Sequence, residues 1–278
     1  MEGIEYFTIS KENVPTDMPN IPLDAKIICA QMDASIANSN IFAQGGWYTK
    51  PFFAEGLIKH DSGELLVFVG NDIENPKELG AEVEIQIGND VIAFDKTCAL
   101  FVPAGVAHGN LNIKSMASPI FNYICHVNTG TYKAEPAEAT EEKGKYINNM
   151  IQDYVFPEGV DRTLEDDFKL ALLWSDGIRI EGAPYMETLW FRGLRLVPAP
   201  PEHTHEFDEL IGYFSSDPNN PNELSIDVCF DVEGEGIPIK ESCLGYLPKG
   251  LKHSPMVVSK VDRPAFHFTL GNGANYTR

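Results

Sequence analysis

Three histidines and one glutamate have the residue types and the spacing of a metal site. His203 and His205 alternate along the chain, so in an extended strand both side chains point to one face, and Glu209 follows at an even offset. Residues 248–253 read Pro-Lys-Gly-Leu-Lys-His, a tight turn that delivers His253 from a separate strand. Three imidazole nitrogens and one carboxylate oxygen suit a divalent first-row metal ion. The sequence therefore predicts a metal site with open coordination positions.

The same frame of residues occurs 145 positions earlier in the chain. Between positions 60 and 108, 14 of 49 residues are identical to their counterparts, where average composition gives roughly three. An ungapped repeat of this length predicts two copies of one fold with equal strand and loop lengths. The earlier copy keeps three of the four candidate ligands, and these are His60, Glu64 and His108.

The two motifs, His-x-His-x3-Glu and Pro-x-Gly-x-x-His, resemble the signature motifs of the cupin superfamily, and two copies of them resemble a bicupin. The resemblance covers about residues 25–130 and 170–275. It implies an all-β fold of two tandem cupin barrels (double-stranded β-helix, or jelly-roll) with few short helices. It also implies that a metal ion is bound inside a barrel by His203, His205, Glu209 and His253.

Several scaffold positions depart from the family motifs. Val197 and Ser216 stand where a glycine is usual, and Val257 stands where an asparagine is usual, although the first copy keeps that asparagine as Asn112. These departures affect the assignment to a subfamily more than the metal site.

In the first copy, Ile58 stands at the position of His203. The three remaining ligands can hold a metal more weakly, with water in the fourth place. The alternative is a site that no longer binds metal and whose polar side chains hydrogen-bond within the barrel. The active copy is therefore predicted to be the C-terminal one.

Other polar side chains are candidates for acid–base roles beside the predicted metal. Tyr213 lies four residues after Glu209 on the same strand face, where it is a proton donor or a core aromatic residue. His267, on the last strand, is a general base or a residue of the barrel wall. Glu202 and Glu209 complete the catalytic candidates, and His126 is assigned a structural role.

Two arginines lie on the long strand that precedes the metal motif. Along residues 186–197, Arg195 shares one strand face with Glu187, and Arg192 lies on the opposite face, so either arginine could enter the barrel and face a substrate oxygen. The alternative for each is the outer face of the sheet.

Composition restricts the partners of the protein. The net charge of −20 disfavours nucleic acid and anionic membranes, since both are polyanions. The sequence contains no run of 18 apolar residues, so it predicts no membrane span, and the first residues lack the pattern of a signal peptide. The five cysteines are odd in number and form no Cys-x-x-Cys pair, so we expect buried thiols in a reducing cytoplasm.

The predicted organisation has four parts. Residues 1–24 form an N-terminal arm, 25–130 the first barrel with a degenerate metal site, 131–165 a charged linker, and 166–278 the second barrel with the complete site. Residues 146–154 are predicted to form a short helix, and 164–173 either a helix or the start of a strand. A homodimer of such chains is also compatible with the sequence.

These features predict an enzyme that acts on a small molecule. The expected cofactor is Mn²⁺ or Fe²⁺, before Zn²⁺, Ni²⁺ or Co²⁺, and the expected substrate presents two adjacent oxygens to it. Our first hypothesis is O₂-independent hydrolysis of a carbon–carbon bond in a cyclic or open diketone. The alternatives are a quercetinase-like ring-cleaving dioxygenase, a decarboxylase, and a non-catalytic ligand-binding bicupin. The motifs of nucleotide and dinucleotide enzymes are absent from the sequence.

Overall fold

The computed structural model describes residues 7–9, 20–155 and 165–273. Within these ranges the chain forms 21 strands in four sheets, and its one regular helical segment is a 3₁₀ turn at Leu23–Ala25. Each half of the chain contributes two sheets that enclose an apolar core between them. The predicted all-β class is therefore confirmed.

The first barrel combines a six-stranded and a five-stranded sheet. In spatial order the larger sheet contains β12 (Met150–Ile151), β8 (Cys98–Val102), β5 (Glu64–Val69), β10 (Ile120–His126), β3 (Phe42–Tyr48) and β2 (Lys26–Met32). The smaller sheet contains β11 (Glu135–Pro136), β4 (Phe52–Lys59), β9 (His108–Met116), β6 (Glu78–Ile87) and β7 (Asp90–Lys96).

The second barrel combines a six-stranded and a four-stranded sheet. The larger sheet contains β1 (Phe7–Ile9), β19 (Cys243–Leu247), β16 (Glu209–Ser215), β21 (Ala265–Gly271), β14 (Tyr185–Phe191) and β13 (Lys169–Ser175). The smaller sheet contains β15 (Arg195–Ala199), β20 (His253–Val261), β17 (Glu223–Val232) and β18 (Glu235–Glu241).

The strands follow the period-2 pattern of the sequence. In β6, Val83, Ile85 and Ile87 are buried, while Glu82 is exposed and Glu84 is half-buried. Alternate residues of a strand point to opposite faces, so one face of β6 joins the core and the other meets water. This alternation explains how a chain with so many acidic residues still builds two apolar interiors.

The internal repeat is visible in the strand boundaries. Strands β6 to β10 and β17 to β21 begin and end at positions that differ by 145 residues in every case. The structural repeat therefore extends past position 108 to residues 126 and 271, where the sequence identities have faded. The second copy can be compared with the first residue by residue over this whole range.

Aromatic side chains join the two barrels into one packed body. The ring of Phe121 on β10 lies 4.9 Å from the rings of both Phe214 and Phe266, and the ring of Tyr123 lies 3.8 Å from that of Phe268. All five side chains are almost fully buried. Because the larger sheets of the two barrels share this aromatic core, neither barrel is a separate unit on a flexible tether.

One of the predicted secondary-structure elements is wrong. Residues 146–154 form no helix: a turn closes where the Asn149 amide donates to the Tyr146 carbonyl at 3.0 Å, and Met150–Ile151 then pair with β8. Pairing with an open sheet edge outweighs the weak helical preference of a short segment. Of the two alternatives for residues 164–173, the structure has the strand: β13 begins at Lys169, and the described residues 165–168 form a turn that leads into it.

Chain segments outside the two predicted barrels also take part in the sheets. Phe7–Ile9, from the predicted arm, pair with β19 of the second barrel, so this part of the arm crosses from the first barrel to the second. Two short strands of the predicted linker, β11 and β12, pair with β4 and β8 of the first barrel. The arm residues 1–6 and 10–19 and the linker residues 156–164 lie outside the described residues.

The cysteines are free thiols, as the sequence predicts, but one of them is not buried. Cys229 is exposed, whereas Cys29, Cys98, Cys125 and Cys243 are buried. Cys229 lies on β17 between Val228 and Phe230, which both point into the core, so its own side chain must point outward.

Stability depends on the shared aromatic core. Phe266→Ala is expected to lower the free energy of unfolding by about 3–5 kcal/mol, because it removes a fully buried ring and leaves a cavity. Denaturant-induced unfolding measures the change. Phe53→Ala is the matched control, since Phe53 is 55% exposed, and it should change stability by less than about 0.5 kcal/mol. Equal effects of the two changes would contradict a shared core.

Candidate metal centre

A backbone turn holds His253 opposite the His-x-His segment in the second barrel. Gly250 has a φ of +81°, a conformation that glycine adopts without strain, and its amide donates to the His205 carbonyl at 3.0 Å. His203 and His253 then exchange two backbone hydrogen bonds of 3.1 Å each. Main-chain hydrogen bonds from the predicted Pro-x-Gly turn and from His253 therefore hold this part of the chain against the His-x-His segment.

The side chains of the second barrel converge as the sequence predicts. One ring nitrogen from each of His203, His205 and His253 lies within 4.8 Å of the others. Glu209 Oε2 lies 3.5 Å from His205 Nε2 and 3.1 Å from His253 Nε2. The four predicted ligands thus lie together at one end of β16 and β20.

Hydrogen bonds to carbonyl groups orient two of these imidazoles. The Nδ1 atom of His203 donates to the Pro201 carbonyl at 2.8 Å, and that of His253 donates to the Leu251 carbonyl at 3.0 Å. A carbonyl oxygen can only accept, so the proton of each neutral ring is on Nδ1 and the lone pair is on Nε2. Such outer contacts commonly fix the tautomer of histidines that bind metals.

The resulting arrangement suits a cation. His253 Nε2 is buried and has no hydrogen-bond partner among the described residues, although Glu209 Oε2 is 3.1 Å away. A nitrogen lone pair and a carboxylate oxygen repel each other at that distance unless a cation or a proton lies between them. Burial by itself raises the pKa of Glu209, but when Nε2 of His205 and His253 carries a proton, the hydrogen bonds and positive charge of these rings outweigh burial and lower the pKa to about 2. Glu209 is therefore a negatively charged donor that fits a divalent ion.

A cavity of about 270 Å³ adjoins this centre inside the second barrel. His203, Glu209 and His253 line one part of it, and apolar side chains such as Phe230 and Ile211 line another. A volume of this size approaches the lower end of the range of small-molecule pockets, which starts near 300 Å³. The centre is therefore accessible to a small ligand.

Two of the predicted acid–base residues also line this cavity. Burial lowers the pKa of His267 to about 4, and its Nδ1 donates to the Gly212 carbonyl at 3.0 Å. The ring is therefore neutral near pH 7, with its lone pair on Nε2. Burial raises the pKa of Tyr213 well above its usual value, so the phenol stays protonated, and its ring lies 4.7 Å from that of His267.

The remaining charged candidates divide between the cavity and the surface. Arg195 lines the cavity with its guanidinium 4.4 Å from the centre of the Phe168 ring, and Lys169 lines it as well. Arg192 points elsewhere and pairs with Glu165 at 2.9 Å. Glu202 lies outside the cavity lining, with its carboxylate 3.6 Å from Lys252. Glu202 therefore takes no part in the chemistry that we propose below.

The first barrel contains a second cluster of the predicted residues. One ligand atom from each of His60, Glu64 and His108 lies within 4.8 Å of the others, and all three side chains are buried. His126, for which the sequence predicted only a structural role, lies in the same place: its Nε2 is 3.4 Å from Glu64 Oε1. His126 and Glu64 come together because their strands, β10 and β5, pair so that these two residues lie directly opposite each other. No sequence motif indicates this contact.

No protein-family model and no curated protein matches the sequence. Among solved structures, a variant of oxalate decarboxylase from Bacillus subtilis is similar, with a TM-score of 0.58 and 10% identity over 95% of this chain and 81% of that chain. A structure concerned with the Mn(II) centres of the same enzyme has a TM-score of 0.56 and 9% identity, over 95% and 81% of the two chains. AerE from Microcystis aeruginosa has a TM-score of 0.50 and 11% identity, over 96% and 98%.

At these identities the likeness is one of fold. It confirms the predicted fold of two tandem cupin barrels. Within the described residues, no helix is long and apolar enough to cross a membrane.

The ligand assignment can be tested by metal content. His253→Ala is expected to lose the ion of the second barrel. Removing a hydrogen-bond partner of a ligand typically weakens metal binding by roughly 10- to 100-fold, and removing the ligand itself weakens it more. Elemental analysis per chain measures this. Glu202→Ala is the control, since it removes an exposed carboxylate beside His203 that is outside the cavity. A folded His253→Ala protein with the metal content of the wild type would refute the assignment.

The buried neutral state of His267 predicts a pH dependence of stability. Its pKa is about 4 in the folded protein and near 6.5 in the unfolded chain, so the unfolded state takes up a proton first as the pH falls. Stability from this group is complete above pH 6.5 and is lost between pH 6.5 and 4. In metal-free protein, the drop from pH 7 to pH 5 should be about 2 kcal/mol larger for the wild type than for His267→Gln. Parallel pH profiles would contradict the shift.

Proposed function

We propose that the second barrel is a metal-dependent enzyme that cleaves a carbon–carbon bond in a small oxygen-chelating substrate. The observation that carries this proposal is the composition of one cavity. His203, His253 and Glu209 line it, with His205 next to them, together with the neutral ring of His267 and the protonated phenol of Tyr213. A site that only stored a metal would have no need of an acid and a base beside it.

The metal would be held by the three histidines and Glu209. A divalent ion bound there would polarise a carbonyl oxygen and lower the pKa of a water or an enol. The Mn(II) centres of oxalate decarboxylase, which is similar in fold, make Mn²⁺ the first ion to test, followed by Fe²⁺. Zn²⁺, Ni²⁺ and Co²⁺ suit the same donors.

The cavity favours a compact substrate with oxygens on one side and carbon on the other. Arg195 and Lys169 supply positive charge to the lining, although the whole chain carries a net charge of −20. Arginine can hold a planar carboxylate or enolate with two hydrogen bonds. The aromatic rings of Phe191 and Phe230 supply apolar wall for the carbon skeleton.

Within this class we propose hydrolysis of a cyclic or open diketone. His267 accepts a proton from the water that adds to one carbonyl carbon. The bond between that carbon and the central carbon then breaks, and the electron pair stays on the central carbon as an enolate. Tyr213 donates a proton to the enolate, and the proton taken by His267 restores the phenol. An open diketone gives a carboxylic acid and a ketone, and a cyclic diketone gives a single keto acid. Neither O₂ nor a redox step is required.

Decarboxylation is the second candidate, and the cations of the cavity favour it. Arg195 and Lys169 would bind the carboxylate of an α-keto or dicarboxylic acid, and the solved structures that are similar in fold include a decarboxylase. In this reaction the carbon–carbon bond breaks with loss of CO₂, and Tyr213 protonates the carbanion that remains.

The assay should compare these reactions directly. Metal-free protein is loaded with Mn²⁺ or Fe²⁺ and incubated without O₂ with cyclic diketones, open diketones and α-keto acids. Oxygen from H₂¹⁸O in a new carboxylate identifies hydrolysis, and CO₂ release without that label identifies decarboxylation. Turnover that requires O₂ would replace both with a dioxygenase. If the protein retains its metal but converts none of these substrates, with or without O₂, the non-catalytic ligand-binding function is favoured over the enzyme.

Once turnover is found, the acid and the base can be tested separately from the metal. His267→Gln and Tyr213→Phe are each expected to lower kcat by about 10²- to 10⁴-fold, because each removes a group that transfers a proton. Metal content should remain that of the wild type in both. Tyr246→Phe is the matched control, since it removes a phenol hydroxyl on β19 outside the cavity. Wild-type kcat in His267→Gln would contradict the assignment of the base.

A further inference from the structure

The first barrel encloses four side chains that are typical metal ligands, in a place that water does not reach. The side chains of His60, Glu64, His108 and His126 are each at most 2% exposed. Glu64 Oε2 lies 2.7 Å from His108 Nε2 and 3.7 Å from His60 Nε2, and Glu64 Oε1 lies 3.4 Å from His126 Nε2. One carboxylate is thus surrounded by three imidazoles.

The orientation of these rings leaves the inward-facing atoms without partners. The Nδ1 atoms of His60 and His108 donate to the carbonyls of Lys133 at 2.8 Å and Val106 at 2.9 Å, so when these rings are neutral their lone pairs are on Nε2. The Nε2 atoms of all three histidines and the Oε2 atom of Glu64 are buried without a hydrogen-bond partner among the described residues. Four buried polar atoms without partners in one cluster are costly unless something binds them.

The structural repeat shows that the two barrels differ at two positions around the buried carboxylate. Ile58 pairs with His108 in the way that His203 pairs with His253, so the isoleucine occupies the backbone position that His203 has in the second barrel. His126 pairs with Glu64 on the neighbouring strand. The first barrel therefore has no histidine on the side of the carboxylate where the second barrel has His203, and it has His126 on another side.

The second barrel has no room for a histidine at the matching position. Gly271 is the counterpart of His126 and pairs with Glu209, and a Cβ atom on it would lie 2.5 Å from the ring of Phe207. The counterpart of Phe207 in the first barrel is the small residue Ser62, whose hydroxyl lies 3.1 Å from His126 Nδ1. The serine both makes space for the imidazole and orients it.

We propose that the first barrel binds a second metal ion with a rearranged ligand set of His60, Glu64, His108 and His126. Four protein ligands and a buried position make this a closed site with a structural role, unlike the centre of the second barrel, which opens on a cavity. Three nitrogens and one oxygen suit a divalent first-row ion, and Zn²⁺ is the ion that most often has four protein ligands in structural sites. Catalysis in the second barrel does not depend on this proposal.

The alternative is a cluster held by a proton in place of a metal. Glu64 and His108 would then form a buried ion pair across their 2.7 Å contact. That pair would satisfy two of the four atoms, and the Nε2 atoms of His60 and His126 would still lack partners. A metal ion satisfies all four atoms at once, which is why we favour it.

Metal stoichiometry tests the proposal without any assay of activity. Protein stripped with a chelator and reloaded with Zn²⁺ should hold two ions per chain by elemental analysis. His126→Ala is expected to hold one. Cys125→Ala is the matched control, since it shortens the neighbouring buried residue on the same strand, and it should hold two. One ion in the wild type, or two in His126→Ala, would overturn the assignment.

A rescue variant and a spectroscopic measurement distinguish the loss of a ligand from misfolding of the variant. Ile58→His in the His126→Ala background restores the ligand pattern of the second barrel and should bring the content back to two ions per chain. In the folded His253→Ala protein, where His126 is intact, one equivalent of Co²⁺ should give the visible absorption of a four-coordinate ion with nitrogen and oxygen donors. Absence of a Co²⁺ spectrum there would overturn the proposal whatever the variants at position 126 do.

Discussion

The structure depends on a buried carboxylate that faces imidazole lone pairs in each barrel. Glu209 and Glu64 both lie at the start of a central strand with their side chains almost fully buried. An uncompensated charge at such a place would be too costly for the fold to tolerate. Each carboxylate therefore needs a compensating positive charge, and the strands that surround it bring imidazoles next to it, which is why we propose a metal ion in each barrel.

The main chain builds this arrangement in the same way twice. The amides of Gly250 and Gly105 donate to the carbonyls of His205 and His60 at 3.0 and 2.7 Å, and both glycines have a positive φ. These hydrogen bonds place the last histidine of each motif opposite the first part of that motif. Because the scaffold is shared, the differences between the two centres arise from a few side chains and not from the course of the backbone.

Those few side chains separate an open centre from a closed one. In the second barrel Phe207 covers Gly271, and the ligands face a cavity that also contains His267 and Tyr213. In the first barrel a serine replaces the phenylalanine and a histidine replaces the glycine, and the cluster is sealed. In our proposal, one copy of the duplicated fold holds a reactive centre and the other holds a structural ion, and the aromatic core between the larger sheets joins the two.

The sequence by itself determined the all-β class, the duplication and the groups His203, His205, Glu209, His253 and His60, Glu64, His108, because spacing within a motif fixes which side chains share a strand face. It also placed Tyr213 correctly, since that residue is four positions from Glu209 on one strand. Only the tertiary structure decided that Arg195 enters the cavity and that Glu202 does not. It likewise showed that residues 146–154 pair with a sheet edge, and that His126 meets Glu64. These outcomes depend on register between strands that are far apart in the chain, and no local pattern encodes that register.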